Sequence, residues 1–172
     1  CIKSLIKSQK YEEVTEYINN ISASFPADRF LYNTGNYISD AILSDKQENV
    51  KKDKIIISFS GTIPSFINNT DLCIILSNAI DNAAEACVDV ETERNIEVFG
   101  ACRHRYFILT VKNPTVNFIN NKEIPQTTKS DKLYHGFGLQ NIKTVVEKYN
   151  GFMKIESKDN YFLLSLTFNN IT

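Results

Sequence analysis

Four side chains offer the first hint of chemistry. Asn78, Asp81, Asn82 and Glu85 stand at i, i+3, i+4 and i+7 in the run Asp71–Val88. At 100° per residue they fall within about 100° of one another, on one helix face. Leu72, Leu76, Ile80, Ala83 and Cys87 form an apolar stripe on the other side. The plain reading is an amphipathic helix with its polar side in water. Two Asn and an Asp are poor helix formers, however, and a merely solvated face favours Lys, Glu, Arg and Gln. Amide and carboxylate oxygens grouped this way suit a hard cation such as Mg²⁺, which prefers oxygen ligands and commonly arrives with phosphate.

A second element follows at Tyr134-His135-Gly136-Phe137-Gly138-Leu139, where a polar stretch runs into a helical pattern. Glycines at a helix start let backbone N–H groups approach an anion, and the helix end adds about half a positive charge. Taken alone, this is also how a turn and an N-cap look. Lys129 and Lys132 lie just upstream, among the hydroxyls of Thr127, Thr128 and Ser130. An oxygen-rich metal face with a glycine-rich, lysine-flanked phosphate loop suggests a Mg-nucleotide site.

The elements that must hold these residues can be read from periodicity. Residues 2–21 read as a helix, the segment Ser22–Pro26 breaks it, and a second helix is expected from about Asp28 to Ser44. This hairpin has apolar surface on more than one face, which suits packing on a partner copy. Ile55–Phe59 reads as a strand and Asp71–Val88 as a helix with Asp71 as N-cap. Asn95–Ala101 and Tyr106–Val111 read as strands, and 114–135 as a long polar loop of the kind that forms lids. A helix from Gly138 to Tyr149 should end at Asn150-Gly151. A hairpin of Phe152–Glu156 and Tyr161–Phe168 follows. That order predicts an α+β fold, a two-layer α/β sandwich with a mixed sheet covered on one face by helices. The division expected is 1–45 for the helical hairpin and 46–172 for the sandwich.

Composition sets the outer limits. The chain has 172 residues, 42% apolar and 23% charged, with 6 Gly and 4 Pro, which excludes a disordered or fibrous chain. Nineteen basic and twenty acidic residues leave a net charge of −1, against a general nucleic-acid binder. That total hides two segments. Residues 71–100 carry seven acidic and one basic residue, and 103–172 carry ten basic and five acidic. No apolar run approaches the ~20 residues that span a bilayer. The four cysteines show no C-x-x-C pair, so a reducing compartment is expected, with Cys73 and Cys87 acting as small hydrophobes. A first residue Cys1 rather than Met reads as a fragment of a longer chain.

The two motifs, in this order, resemble the GHKL ATP-binding domain shared by sensor histidine kinases, DNA gyrase, Hsp90 and MutL. Leu76–Ala86 looks like its N-box, and His135–Leu139 with Gln140-Asn141 looks like its G2 box. Asp81-Asn-Ala-Ala-Glu-Ala86, with the segments Lys10–Glu13 and Thr34–Leu43, is most similar to the peptide-responsive, quorum-sensing sensor histidine kinases of Gram-positive bacteria. The resemblance implies the Bergerat fold preceded by a dimerisation hairpin, with ATP and Mg²⁺ as cofactors. It makes Asn82 the Mg²⁺ ligand and puts Asn78 on the phosphate side, where gyrase-type relatives carry a Glu that activates water. An Asn cannot be a general base, which suits transfer of phosphate to a protein rather than hydrolysis.

Lys129 and the backbone of Gly136 and Gly138 would hold phosphates, Leu139 would belong to the cofactor-binding set, and His135 would be a phosphate contact or part of the lid hinge. The family's D-x-G-x-G box is replaced by Lys112-Asn113-Pro114-Thr115, where Asn113 would accept from the adenine amino group. Neither His104 nor His135 fits the phosphate-accepting histidine, which the resemblance places upstream of Cys1. The fragment would then bind ATP without phosphorylating itself. Its partners would be a second copy through the N-terminal helices and a response regulator. It would be a cytoplasmic domain of a membrane-anchored sensor, with the membrane reached only through upstream segments. Two other readings stay open: an anti-sigma-factor-type serine kinase, and a degenerate domain that serves only for binding or dimerisation.

Overall fold

In the computed structural model, which describes residues 30–116, 137–158 and 160–169, the sequence order becomes one sheet and its helical cover. The elements are α1 (Tyr37–Val50), β1 (Ile56–Gly61), α2 (Asn69–Cys87), β2 (Asn95–Arg103), β3 (Tyr106–Pro114), α3 (Phe137–Lys148), β4 (Phe152–Lys158) and β5 (Tyr161–Asn169). The strands lie in the order β1-β2-β3-β5-β4. β1 pairs parallel to β2, and the other neighbours are antiparallel. A parallel neighbour needs a crossover, and α2 supplies it. This is the mixed, one-side-covered α+β sandwich expected.

Alternation along the strands decides which face is covered. Ile57, Ile96, Val98, Phe107, Leu109, Val111, Leu164, Leu166 and Phe168 are buried, and their neighbours point the other way. Against them pack Leu43 of α1, the stripe Leu72, Ile75, Leu76, Ile80, Ala83 and Cys87 of α2, and Ile142, Val145 and Val146 of α3. Ile56, Phe99 and Phe152 stand exposed on the uncovered face.

Several boundaries differ from the periodicity, each for a local reason. The second helix starts at Tyr37 rather than near Asp28, and runs to Val50. Gly35 takes φ +81°, and the Asn36 side chain accepts from the backbone N–H of Ile38 and Ser39, a polar start that apolar spacing does not show. This helix spans the 45/46 boundary read from the sequence and packs on α2. It also covers the β1 edge. Gln47 donates to the Ile55 carbonyl and accepts from the Ile57 N–H, and the Tyr32 hydroxyl donates to the Ile57 carbonyl. An open strand edge is thereby closed by side chains. The first helix, 2–21, lies outside the described residues, as does 117–136 of the long loop. Cys87 is buried as expected, whereas Cys73 is exposed. Among the described residues no helix is long and apolar enough to cross a membrane.

Asp71 is not the N-cap of α2. Asn68 is, accepting from the Thr70 N–H. Asp71 sits one turn in, its carboxylate 9% exposed, and Oδ2 accepts from Lys148 Nζ and from the Tyr149 hydroxyl, each at 2.6 Å. The Tyr149 hydroxyl in turn accepts from the Asn68 N–H at 2.9 Å. The start of α2 is thus tied to the end of α3. Burial pushes the Asp71 carboxyl up, but the Lys148 and Tyr149 hydrogen bonds and the Lys148 charge outweigh it and hold it below the usual value. A carboxyl lowered on folding stabilises above its unfolded pKa, about 3.9, and loses that contribution as pH falls through the folded value. Asp71→Asn should therefore cost about 1–3 kcal/mol at neutral pH. Urea midpoints of the two proteins should converge as the pH is lowered below 4, and a gap that persists there would contradict the account.

Candidate functional site

The polar face of α2 does not remain one surface. Asp81 turns toward α1, where Lys46 Nζ donates to both carboxylate oxygens at 2.6 and 2.7 Å. Glu85 is exposed. Asn78 and Asn82 turn toward the start of α3, and Gly138 is what lets them approach. A Cβ at Gly138 would stand 3.0 Å from Asn78 Oδ1 and 3.4 Å from Asn82 Oδ1. Glycine in a helix costs about 1 kcal/mol relative to Ala, so its presence here is explained by this close approach.

The two amides differ in freedom. Asn78 Nδ2 donates to the Ile74 carbonyl at 2.7 Å, which fixes Oδ1 as the atom presented. Asn82 Nδ2 is buried and finds no hydrogen-bond partner among the described residues. A buried donor left unpaired is costly and marks a place where a ligand can repay it. The first-turn N–H groups of α3 lack intrahelical partners, and they begin beside these amides.

Asn113 lies within a strand rather than after one. β3 continues through Pro114, pairing Asn113 with Phe162 and Pro114 with Tyr161 on β5. The residue is 1% exposed and shares the covered side with Val111. Cys87 at the end of α2 donates from Sγ to the Pro114 carbonyl at 3.8 Å, so the Asn113 end of β3 adjoins the end of α2. Asn113 Oδ1 is buried without a partner among the described residues.

The structure thus brings Asn78, Asn82 and Gly138 together, places Leu139 beside them at the start of α3, and sets Asn113 near the last turn of α2. Lys129, His135 and Gly136 lie outside the described residues. His104 is an exposed turn residue between β2 and β3 with φ +53°. Lys46 was not legible as a neighbour of this face, because it stands 35 residues from Asp81 and carries no local signal. Among the described residues no group of three His, Cys, Asp or Glu side chains could hold a metal. A phosphate would bring a cation at the two amides further oxygen ligands.

The GHKL domain family matches residues 67–169. No curated protein sequence matches the chain. Among solved structures, a nucleotide-free form of the catalytic domain of histidine kinase ThkA is similar with TM-score 0.65 and 16% identity, covering 80% of this chain and 93% of that one. The Acinetobacter baumannii histidine kinase AdeS gives 0.62 and 12%, covering 99% and 84%. The mycobacterial sensor histidine kinase MprB gives 0.54 and 14%, covering 75% and 93%. At these identities the likeness is one of fold.

Proposed function

The chain belongs to the GHKL domain family, and from that premise we propose that it is the catalytic region of a two-component sensor histidine kinase, of the peptide-responsive, quorum-sensing type. It binds Mg-ATP and aligns the γ-phosphate for transfer to a histidine outside this fragment, which alone does not phosphorylate itself. The observation that carries the reading is the convergence of Asn78, Asn82 and Gly138, with an unspent donor on Asn82.

The residues fit the group. Asn82 keeps an amide whose nitrogen is not tied down, so a half-turn about its last bond offers either the oxygen to Mg²⁺ or the N–H to a phosphate. Asn78, fixed by Ile74, offers an oxygen only and takes a proton from nothing. Bound Mg²⁺ would supply charge neutralisation on the phosphoryl oxygens. The chain itself positions and shields, which is most of what phosphoryl transfer asks of a protein. Gly138 and the first-turn N–H groups of α3 receive phosphate, Asn113 meets the base, and Lys129, His135, Gly136 and Leu139 complete the lid side.

Dimerisation through the N-terminal helices, a response regulator as partner and a cytoplasmic position on a membrane-anchored sensor belong to the same proposal. The test is calorimetric titration of a non-hydrolysable ATP analogue with and without Mg²⁺. Binding should depend on Mg²⁺, and Asn82→Ala should weaken it about tenfold or more, roughly 1.4 kcal/mol. No binding to the unmodified domain would sink the reading.

A further inference from the structure

We infer that Lys46 of α1 serves the nucleotide site as the counter-charge of Asp81, so that phosphates can approach Asn78 and Asn82. It is a positioning residue, acting through Asp81 and not by touching the ligand. The inference rests on the nucleotide-site reading above and adds how an acidic helix admits an anion.

A triphosphate carries several negative charges, and the helix proposed to receive it is itself acidic. α2 contains Asp71, Asp81 and Glu85 and no basic residue. The three acids differ in what answers them. Asp71, at the start of the helix, is paired with Lys148 of α3. Glu85 is exposed, so solvent and salt screen it. Asp81 stands three residues after Asn78 and directly before Asn82, and helix neighbours three apart lie about 5–6 Å from each other at Cβ. It is the one acid on α2 within a helical turn of both amides.

Lys46 answers Asp81 in full. Its Nζ donates to Oδ1 at 2.6 Å and to Oδ2 at 2.7 Å, so both carboxylate oxygens are taken. The Lys46 side chain is only 16% exposed, against 54% for Asp81. An ammonium with so little water around it relies on its carboxylate partner. The pair presents a dipole to the site where a bare carboxylate would present a full charge. Over a few ångströms of partly hydrated protein, one such charge changes the affinity for a multiply charged anion several-fold.

The pair also ties α1 to α2, and a tie alone predicts a different result. Breaking a tie from either side, or from both, would disturb Asn78 and Asn82 alike. A counter-charge predicts opposite effects from its two halves, and cancellation when both are removed.

The experiment titrates a non-hydrolysable ATP analogue with Mg²⁺ into the unmodified chain, Lys46→Met, Asp81→Asn and the double variant, with a melting curve on each. Met keeps the hydrocarbon stem of the lysine and removes its charge. Lys46→Met should bind about fivefold more weakly than the parent, and Asp81→Asn about twofold or more tightly. The double variant should return to within about twofold of the parent. Raising the salt from about 0.05 to about 0.5 M should close the gap between Lys46→Met and the parent, as the Debye length shrinks. Parent-like binding by Lys46→Met at low salt overturns the inference. So does a double variant as weak as Lys46→Met, which would make the pair a mechanical tie. If Lys46→Met does not fold, Asp81→Asn decides alone, and binding no tighter than the parent's overturns the inference. No binding by the unmodified chain overturns the nucleotide-site reading, and the inference with it.

Discussion

Phe107→Ala should unfold the domain more easily by about 3–5 kcal/mol, the usual cost of removing a fully buried ring. The side chain is 0% exposed at the start of β3. Its ring stacks on Phe168 at 5.8 Å and meets the edge of Phe66 at 6.4 Å. Tyr149 closes the group, with its ring 6.3 Å from Phe66 and 6.0 Å from Phe168. These contacts join β3, β5, the segment before α2 and the end of α3, so no single element can relax to fill the space. Against a total stability of about 5–15 kcal/mol, the loss is a large share. For a chain of this size it should lower Tm by about 6–20 °C. Asn113 stands six residues further along β3, about 20 Å away, so nucleotide affinity measured well below Tm should be little changed. A loss under about 1 kcal/mol would show that the cluster does not pack as one unit.

That contrast between core and site also separates what the sequence revealed from what it hid. Periodicity found α2, because an apolar stripe of Leu72, Leu76, Ile80, Ala83 and Cys87 has to face a sheet, and it does. It found the end of α3, because Asn150 takes φ +50° and the Gly151 N–H returns to the Val146 carbonyl. It misplaced the start of α1, where the deciding groups are the Asn36 amide and a positive-φ Gly35, neither of which leaves an apolar trace. It ended β3 at Val111, because Lys112-Asn113-Pro114 reads as a loop. Pairing with Phe162 and Tyr161 carries the strand onward, and only that extension buries Asn113. The N-box asparagines were legible as one face, but their division was not. A neighbour such as Lys46 draws Asp81 away from Asn78 and Asn82, and contacts between distant segments are the information that spacing cannot hold.

The consequence for the site can be tested at Gly138, where Gly138→Val should abolish measurable Mg-ATP binding while leaving the fold in place. A β-branched side chain there enters the space that Asn78 Oδ1 bounds at 3.0 Å and Asn82 at 3.4–3.5 Å. Asn78 cannot move aside without breaking its bond to the Ile74 carbonyl. Asn82 can turn, but only by giving up the position the proposal requires of it. The affinity should fall about hundredfold or more, roughly 2.7 kcal/mol, a larger loss than Asn82→Ala because one substitution disturbs both amides and the start of α3. Stability should change little. Replacing Gly in a helix recovers some conformational entropy, and Gly138 lies in the first turn, away from Ile142, Val145 and Val146, which anchor α3. Circular dichroism and a melting curve on the same sample separate the outcomes. A folded variant with parent-like affinity would mean that the phosphates do not approach through this gap. An unfolded variant would show that Gly138 is needed for helix packing, and the smaller Gly138→Ala would then carry the measurement.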